Sequence, residues 1–403
     1  MLLKLAWRNI WRNKRRTLVV LTSVVVGVVA LLLVDTLSVG MLKQMVDNQI
    51  NYHISHIQIH RKGFSEDKAI EKHIKDYLKV DSVLSSYSQI KIYSKRVISY
   101  GLINSAYSSS GVLIVGVEPW VEKDFTMISK SIVQGRYISS DGEILIGLKL
   151  AEKLNLKIGD RAVLMVSDLN GNLISNVFRV VGIYQSPSVN FDKVYIYITL
   201  KDAQNLFNLG DSVSEFAILL YKAELVNSFK EELSKALGDE YEILTYFEIG
   251  PFIRIMIDMY MEFIWIYYLI IGVAVMFGVI NIMLMSIFER VKEFGVLKAL
   301  GMKDSKIFSL IVLESLLIGS LGTLIGLLFG FILYVPLSRS GINLGVFSES
   351  LALFGSGRII YPVLTPFTLF LLLFTMPFIS FIASIYPGIK SLRLKPIDAL
   401  KYI

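Results

Sequence analysis

Four stretches of the chain are apolar for long enough to cross a hydrocarbon core, which takes about 18 or more consecutive apolar residues: Thr17 to Val39, Phe263 to Phe288, Ile307 to Leu337 and Phe367 to Ile389. The first has no small-residue cleavage site and runs on into a helical pattern through Met41, Met45 and Asn48, so it reads as an uncleaved anchor. Ahead of it, Leu3, Trp7, Ile10 and Trp11 share one helical face and Arg8, Arg12 and Arg15 another, which predicts a short helix lying in the inner interface or flanking the first span. Between the first two spans the pattern changes to mixed α and β. "HISHIQIH" alternates as a strand, and "SEDKAIEKHIKDYLKVDSVLSSY" opens with a capping Ser65 and keeps helical spacing. "EILIGLKLAEKLNLKIGDRAVLMV" reads as strand, short helix, tight turn at Ile158-Gly159-Asp160, then strand. "DLNGNL" is a hairpin turn, and "FRVVGIY", "KVYIYITL", "SEFAILLY" and "EYEILTYF" are strand-like, with a helix around Lys222 to Leu237.

The resulting expectation is an α-helical membrane protein with four transmembrane helices and a large extracytoplasmic α+β domain inserted between the first and second. Its segments are an interface helix at 1–16, spans at 17–40, 263–288, 309–337 and 367–389, the inserted domain at 41–262, a polar connection at 289–308, an outer loop at 338–366 and a tail at 390–403. A mean hydropathy of +0.57 with 19% charged residues agrees with a membrane class. The net charge of +7 reflects topology. Basic residues cluster before the first span, between the second and third (Arg290, Lys292, Lys298, Lys303, Lys306) and after the fourth, whereas the segment between the third and fourth has Arg339 and Arg358. That asymmetry predicts both termini and the 289–308 connection in the cytoplasm of an inner-membrane, multi-pass protein. The inserted region is slightly acidic, so nothing calls for a nucleic acid partner.

The chain has no cysteine, which excludes disulfides and thiolate metal sites. Of its histidines, His56 and His60 would face the same way on a strand, but solvated pleat residues account for them better than a metal. No phosphate-cradling motif occurs, since "GVLKALGMK" lacks the Gly-Lys-Ser/Thr ending, so the chain does not hydrolyse ATP alone. Within 289–308, Arg290, Glu293, Gly295, Lys298, Ala299 and Gly301 fit a short helix with a small-residue side and a charged side, a docking surface for a cytoplasmic partner. Glu314 stands at the start of the third span, where a carboxylate needs a partner; a structural pair with a nearby Lys or Arg is expected. Gly319, Gly322, Gly326 and Gly330 form a stripe for close helix packing, on the first span or on another subunit. Met41, Met45, Met256, Met259 and Phe263, with Met261 and Trp265, make a flexible apolar collar that could line a cavity for acyl chains; Trp265, Tyr267 and Tyr268 also suit an ordinary aromatic belt.

At this point a resemblance enters. "ERVKEFGVLKALGMKDSKIFSLIVLESLLIGSLGTLIGLLFG" resembles the signature of the FtsX/MacB-type ABC transporter permeases. "LAWRNIWRNKRRTLVV", "SHIQIHRKGF", "GVEP", "EILIGLKLAEKLNLKIGD", "VVGIY" and the terminal "LRLKPIDALKYI" extend the resemblance over nearly the whole chain, most like the lipoprotein-releasing LolC/LolE branch and, within it, LolE. The resemblance implies that residues 289–308 are a coupling helix seated in a separate LolD-like ATPase, with Arg290 and Glu293 making charged contacts there and Gly295 and Gly301 allowing close approach. It implies a second permease, a paralogue or another copy. It implies mechanical extraction of an acylated lipoprotein from the membrane lipid, with ATP and Mg held by the ATPase and no cofactor in this chain. The short loop at 167–176 stands where the LolC branch carries a carrier-recruiting hook; a partner subunit could supply that hook, and the resemblance leaves open direct contact of this chain with a periplasmic lipoprotein carrier. The alternatives are MacB-like efflux of a peptide or drug and FtsX-like control of a cell-wall hydrolase.

Overall fold

A computed structural model of the chain describes residues 2–347, 351–352 and 355–392; the expected tail lies, past Leu392, outside the described residues. Two compact units are present. The helical unit takes residues 1–42, 257–343 and 359–403, and the inserted unit takes 43–256 and 344–358. Most of what reads as an outer loop between the third and fourth spans therefore belongs to the inserted unit, where Asn48 Nδ2 donates to the Gly355 carbonyl at 2.9 Å.

Among the described residues, four helices are long and apolar enough to cross a membrane. Span one is Lys14–Gln49, span two Pro251–Glu289, span three Asp304–Ser340 and span four Pro366–Leu392, each longer than its apolar run. The glycine stripe of span three meets two different helices of the same chain. A Cβ on Gly319 would lie 2.5 Å from Ser380 Cβ on span four, whereas Cβ atoms on Gly322 and Gly326 would come within 2.8 Å of Val24 Cβ and 2.7 Å of Val28 Cβ on span one. Absent side chains let β-branched residues of span one enter the groove, and Ser315 Oγ donates to the Ser380 carbonyl at 2.8 Å to fix the other contact. Gly326→Ile should consequently cost about 1–3 kcal/mol through overpacking. Gly330→Ala, whose Cβ would meet the movable Leu32 Cδ1 at 3.2 Å, should be tolerated. Thermal unfolding of the two variants in detergent would show the difference.

The inserted unit is built on a 10-stranded mixed sheet in which β2 (Ile90–Asn104) is the organising strand, hydrogen-bonded to β3 (Ser109–Val117), β9 (Glu215–Leu220) and β6 (Arg161–Ser167). Alternation sorts side chains to two faces. Val112 and Ile114 of β3 join the cluster containing Leu150, Leu154, Leu206 and Phe207 from helices Leu148–Leu154 and Leu200–Phe207. Leu113, Val115 and Val117 instead join Phe64, Tyr184, Phe191 and Tyr197. A core on each face explains why these strands read as continuous apolar runs. Helix Leu200–Phe207 starts at Thr199, whose side chain accepts from Asp202 N at 3.1 Å, and sits so close to the sheet that a Cβ on Gly116 would lie 2.2 Å from Ala203 Cβ.

Two local expectations are corrected. The helical reading from Ser65 breaks into Phe64–Asp67 and Tyr77–Ser85, the first stopped by Lys68 at φ 51°, and Gly63 rather than Ser65 is its N-cap residue. Of the two histidines expected to be solvated, His60 is buried and His56 is half-buried, its Nδ1 accepting from Leu220 N at 2.9 Å. His53, His60 and His73 are buried, and His60 lies between the Ser214 carbonyl (3.2 Å) and Gln58 Oε1 (3.0 Å). Burial, and then the Lys68 ammonium, pushes His60 down to about 4, so it is neutral at neutral pH. Among the described residues no group of acidic and histidine side chains could hold a metal.

Candidate functional site at the 289–308 connection

Span two ends at Glu289, and the chain turns at Arg290 into a short helix, Val291–Ala299. Glu293 in its first turn and Lys298 in its last suit the helix dipole. The end is a Schellman closure: Met302 N donates to the Leu297 carbonyl at 3.0 Å and Gly301 N to the Lys298 carbonyl at 3.0 Å, with Gly301 at φ 83°. Gly301 thus serves the turn into span three, and a Cβ there would touch nothing of this chain within 4 Å.

The inward face of this helix is Val291, Phe294 and Gly295, all buried. Arg290 is also buried. Its Nη1 donates to both Glu314 oxygens (2.9 and 3.1 Å), its Nε donates to Glu293 Oε2 (3.1 Å), and its guanidinium lies over the Phe294 ring. Lys298 turns back as well, donating to the Leu392 carbonyl at 3.0 Å and pairing with Asp304 at 3.0 Å. Arg290, Gly295 and Lys298, expected at a partner's surface, are therefore spent inside the chain. The outward face is Lys292, Val296, Ala299 and Leu300, with Val296 48% and Leu300 79% exposed.

Glu314 has a second partner that sequence reasoning missed: Asn9 Nδ2 donates to Oε1 at 2.6 Å. Arg12 pairs with Glu293, and Arg16 pairs with Glu289 while Nη1 donates to Ser286 Oγ at 2.9 Å. Burial pushes Glu293 up, but hydrogen bonds from Arg12 and Arg290 outweigh it and hold the carboxylate below its ordinary value. Three guanidinium groups thus face three carboxylates around a polar cavity of about 240 Å³ lined also by Asn9, Asn13 and Ser286. The overlooked signal was Asn9 and Arg12, three residues apart on one helical face.

The collar residues do not share one environment. Met45 is 3% exposed, so its thioether is not presented to an acyl chain. Met259 and Phe263 are exposed one turn apart on span two. Within the inserted unit, β6 and β7 (Leu173–Tyr184) form a hairpin closed by Asp168, whose Oδ1 accepts from Asn170 N (2.9 Å) and Asn172 N (2.7 Å).

Residues 17–236, more than half of the chain, match the MacB-like periplasmic core domain family, and residues 265–396 match the FtsX-like permease C-terminal family. The chain belongs to the MacB/FtsX family of ABC transporter permeases. This permease is similar to an uncharacterized ABC transporter permease of Methanocaldococcus jannaschii (24% identical over 98% of this chain and 96% of the relative) and to the lipoprotein-releasing system transmembrane protein LolE of Haemophilus influenzae (22% identical over 98% of both). A crystal structure of the periplasmic region of MacB from Actinobacillus actinomycetemcomitans aligns with 52% of this chain and 97% of that one, at 15% identity and a TM-score of 0.36. As an ABC transporter permease, the chain is a membrane subunit that implies an ATPase partner and a partner permease.

Proposed function

We propose that this permease extracts lipoproteins from the outer leaflet of the cytoplasmic membrane, driven by ATP hydrolysis in a separate LolD-like ATPase whose own site holds the ATP and Mg. The observation that carries the ATPase assignment is the outward face of helix Val291–Ala299. There two exposed apolar side chains, Val296 and Leu300, stand beside Lys292, while Arg290, Glu293, Lys298 and Asp304 of the same connection are paired within the chain. An apolar stripe on a short helix is what a groove on a soluble partner takes up. Lipoprotein as cargo is supported by similarity to LolE over 98% of both chains. The charge asymmetry along the sequence supports a cytoplasmic side for the termini and this helix and an outer side for the inserted unit. A second permease, a paralogue or another copy, completes the pathway. Acyl chains travel along the exposed face of span two at Met259 and Phe263, with Met41 and Met256 beside the path and Met45 withdrawn from it. The tight Asp168 turn leaves carrier recruitment to the partner subunit.

The MacB-like core match favours a second reading, efflux of a peptide or drug. One experiment separates them. The permease is purified with its co-expressed ATPase and any paralogue, reconstituted with triacylated lipoprotein, and followed for ATP-dependent release to a soluble carrier, with a photocrosslinker at Met259 or Met45. Release, with capture at Met259 and none at Met45, is expected. ATP turnover without release would remove lipoprotein as the cargo and leave efflux.

A further inference from the structure

The N-terminal helix Leu2–Arg12 has two faces that answer to different surroundings. Ala6 and Ile10 are buried against the chain, whereas Leu3, Trp7 and Trp11 are 60%, 45% and 44% exposed, with the two indoles edge to face at 6.0 Å. An interfacial anchor needs no more than the second face, with Lys4 and Arg8 beside it. The first face does something else. Asn9 donates to Glu314, Glu314 accepts from Arg290, Arg290 donates to Glu293, and Glu293 pairs with Arg12, three residues after Asn9 on the same helix. The hydrogen bonds close into a ring through three elements: the N-terminal helix, the 291–299 helix and span three.

We infer that the N-terminal helix is a working arm of the transmission, with Asn9 and Arg12 as positioning residues that clamp it to the coupling segment and to span three through this closed ring. The inference rests on the ABC permease reading for its driving force. An exposed pair such as Arg12 and Glu293 stabilises little by itself, since water and salt screen it. Its contribution here is geometric. Each carboxylate of the ring is held by donors from two elements, so displacing the 291–299 helix alone would strip Glu293 and Glu314 of a donor, and Glu314 is buried. The less demanding motion carries all three elements together. Because the outer face of the N-terminal helix sits among headgroups, that motion is resisted at the membrane plane, which converts a push on the coupling segment into tilt of the spans. Arg16, tied to Glu289 and Ser286, extends the same hold to the junction of spans one and two. The adjoining polar cavity of about 240 Å³ has room for water.

The absence of cysteine makes the test clean. Spin labels at Arg8→Cys and Lys292→Cys, both exposed, report the separation of the two helices in the full permease and ATPase complex in nanodiscs, with and without ATP. The expected result is one narrow distance distribution that ATP leaves unchanged, broadened by Arg12→Glu or Asn9→Leu, and restored when Arg12→Glu is combined with Glu293→Arg. In parallel, Arg12→Glu should lower permease-dependent ATP turnover about fivefold while the ATPase stays bound, the scale of a typical coupling between sites. The charge exchange should recover most of it. A distance that stays narrow in Arg12→Glu and Asn9→Leu, or an exchange that restores neither readout, overturns the clamp. If no ATPase accompanies the unaltered chain, the functional reading fails, while the label distances still decide the clamp.

Discussion

Replacing Arg96 by Met should destabilise the inserted unit by about 3–5 kcal/mol, the range for leaving buried charges without their partner. Arg96 is 1% exposed in the middle of β2. Its Nη2 donates to Glu122 Oε1 (2.7 Å), Nε to Glu122 Oε2 (3.3 Å), and Nη1 to Glu215 Oε1 (3.0 Å) and the His53 carbonyl (2.9 Å), with Phe125 against its face at 4.9 Å. Burial opposes this charge, but the two carboxylates, Glu122 foremost, overcome it and hold the guanidinium above its ordinary value. Glu215 shows the other side of the balance: burial holds it above its ordinary value, and Arg96, with Lys68, pulls it only part of the way back. Removing the guanidinium strands both carboxylates and a carbonyl. Hydrogen exchange at the β2 and β9 amides of the full chain would read the loss, with Lys95→Met as the neighbouring control, expected to cost less than about 1 kcal/mol. Adding Glu122→Leu and Glu215→Leu to Arg96→Met should recover much of the stability, because an apolar set of similar volume needs no compensation. A loss below about 1 kcal/mol for Arg96→Met alone would contradict this account.

Leu300→Glu and Val296→Glu should each weaken ATPase association tenfold or more, about the scale of a central apolar anchor at an interface. The side chains are exposed, and neither is needed by the chain's own core, so the folded permease should keep its normal unfolding profile. Arg290→Ala and Glu314→Ala should behave in the opposite way. Each leaves the other's charge buried, so thermal stability should fall while the outward face stays intact. Gly295→Val belongs with this second group, since Gly295 faces inward. Pull-down of the ATPase alongside thermal unfolding would sort the variants. Equal effects on both readouts at Leu300 would show that this face supports the fold instead of a partner.

Much of the architecture was legible because periodicity is local. The four apolar runs, the strands at "FRVVGIY" and "SEFAILLY" and the turn at Gly159 follow from spacing and from residue types that few other conformations accommodate. The predicted helix from Ser65 failed because spacing carries no information about a left-handed residue such as Lys68, whose amide closes the short helix on the Phe64 carbonyl. At the 289–308 connection, the segment was legible but its orientation was not. Arg290, Gly295 and Lys298 look like partner-facing residues in sequence, yet Glu314, the packed interior and Asp304 take them inward. Met45 was misplaced for the same reason: a face of a helix can be read from sequence, but not what packs on it.

Composition, period and motif, each confined to a contiguous segment, were enough for the four spans, the inserted α+β unit, the family and the polar connection. Only the tertiary structure decided that the glycine stripe receives Val24 and Val28 from span one, that Arg96 holds Glu122 and Glu215, and that Asn9 and Arg12 close a ring with Glu293, Arg290 and Glu314. Those partners are separated by dozens to hundreds of residues along the chain. A charge or a small residue in sequence declares that it needs a partner, and the fold chooses which one by bringing distant segments within the few ångströms over which hydrogen bonds and packing act.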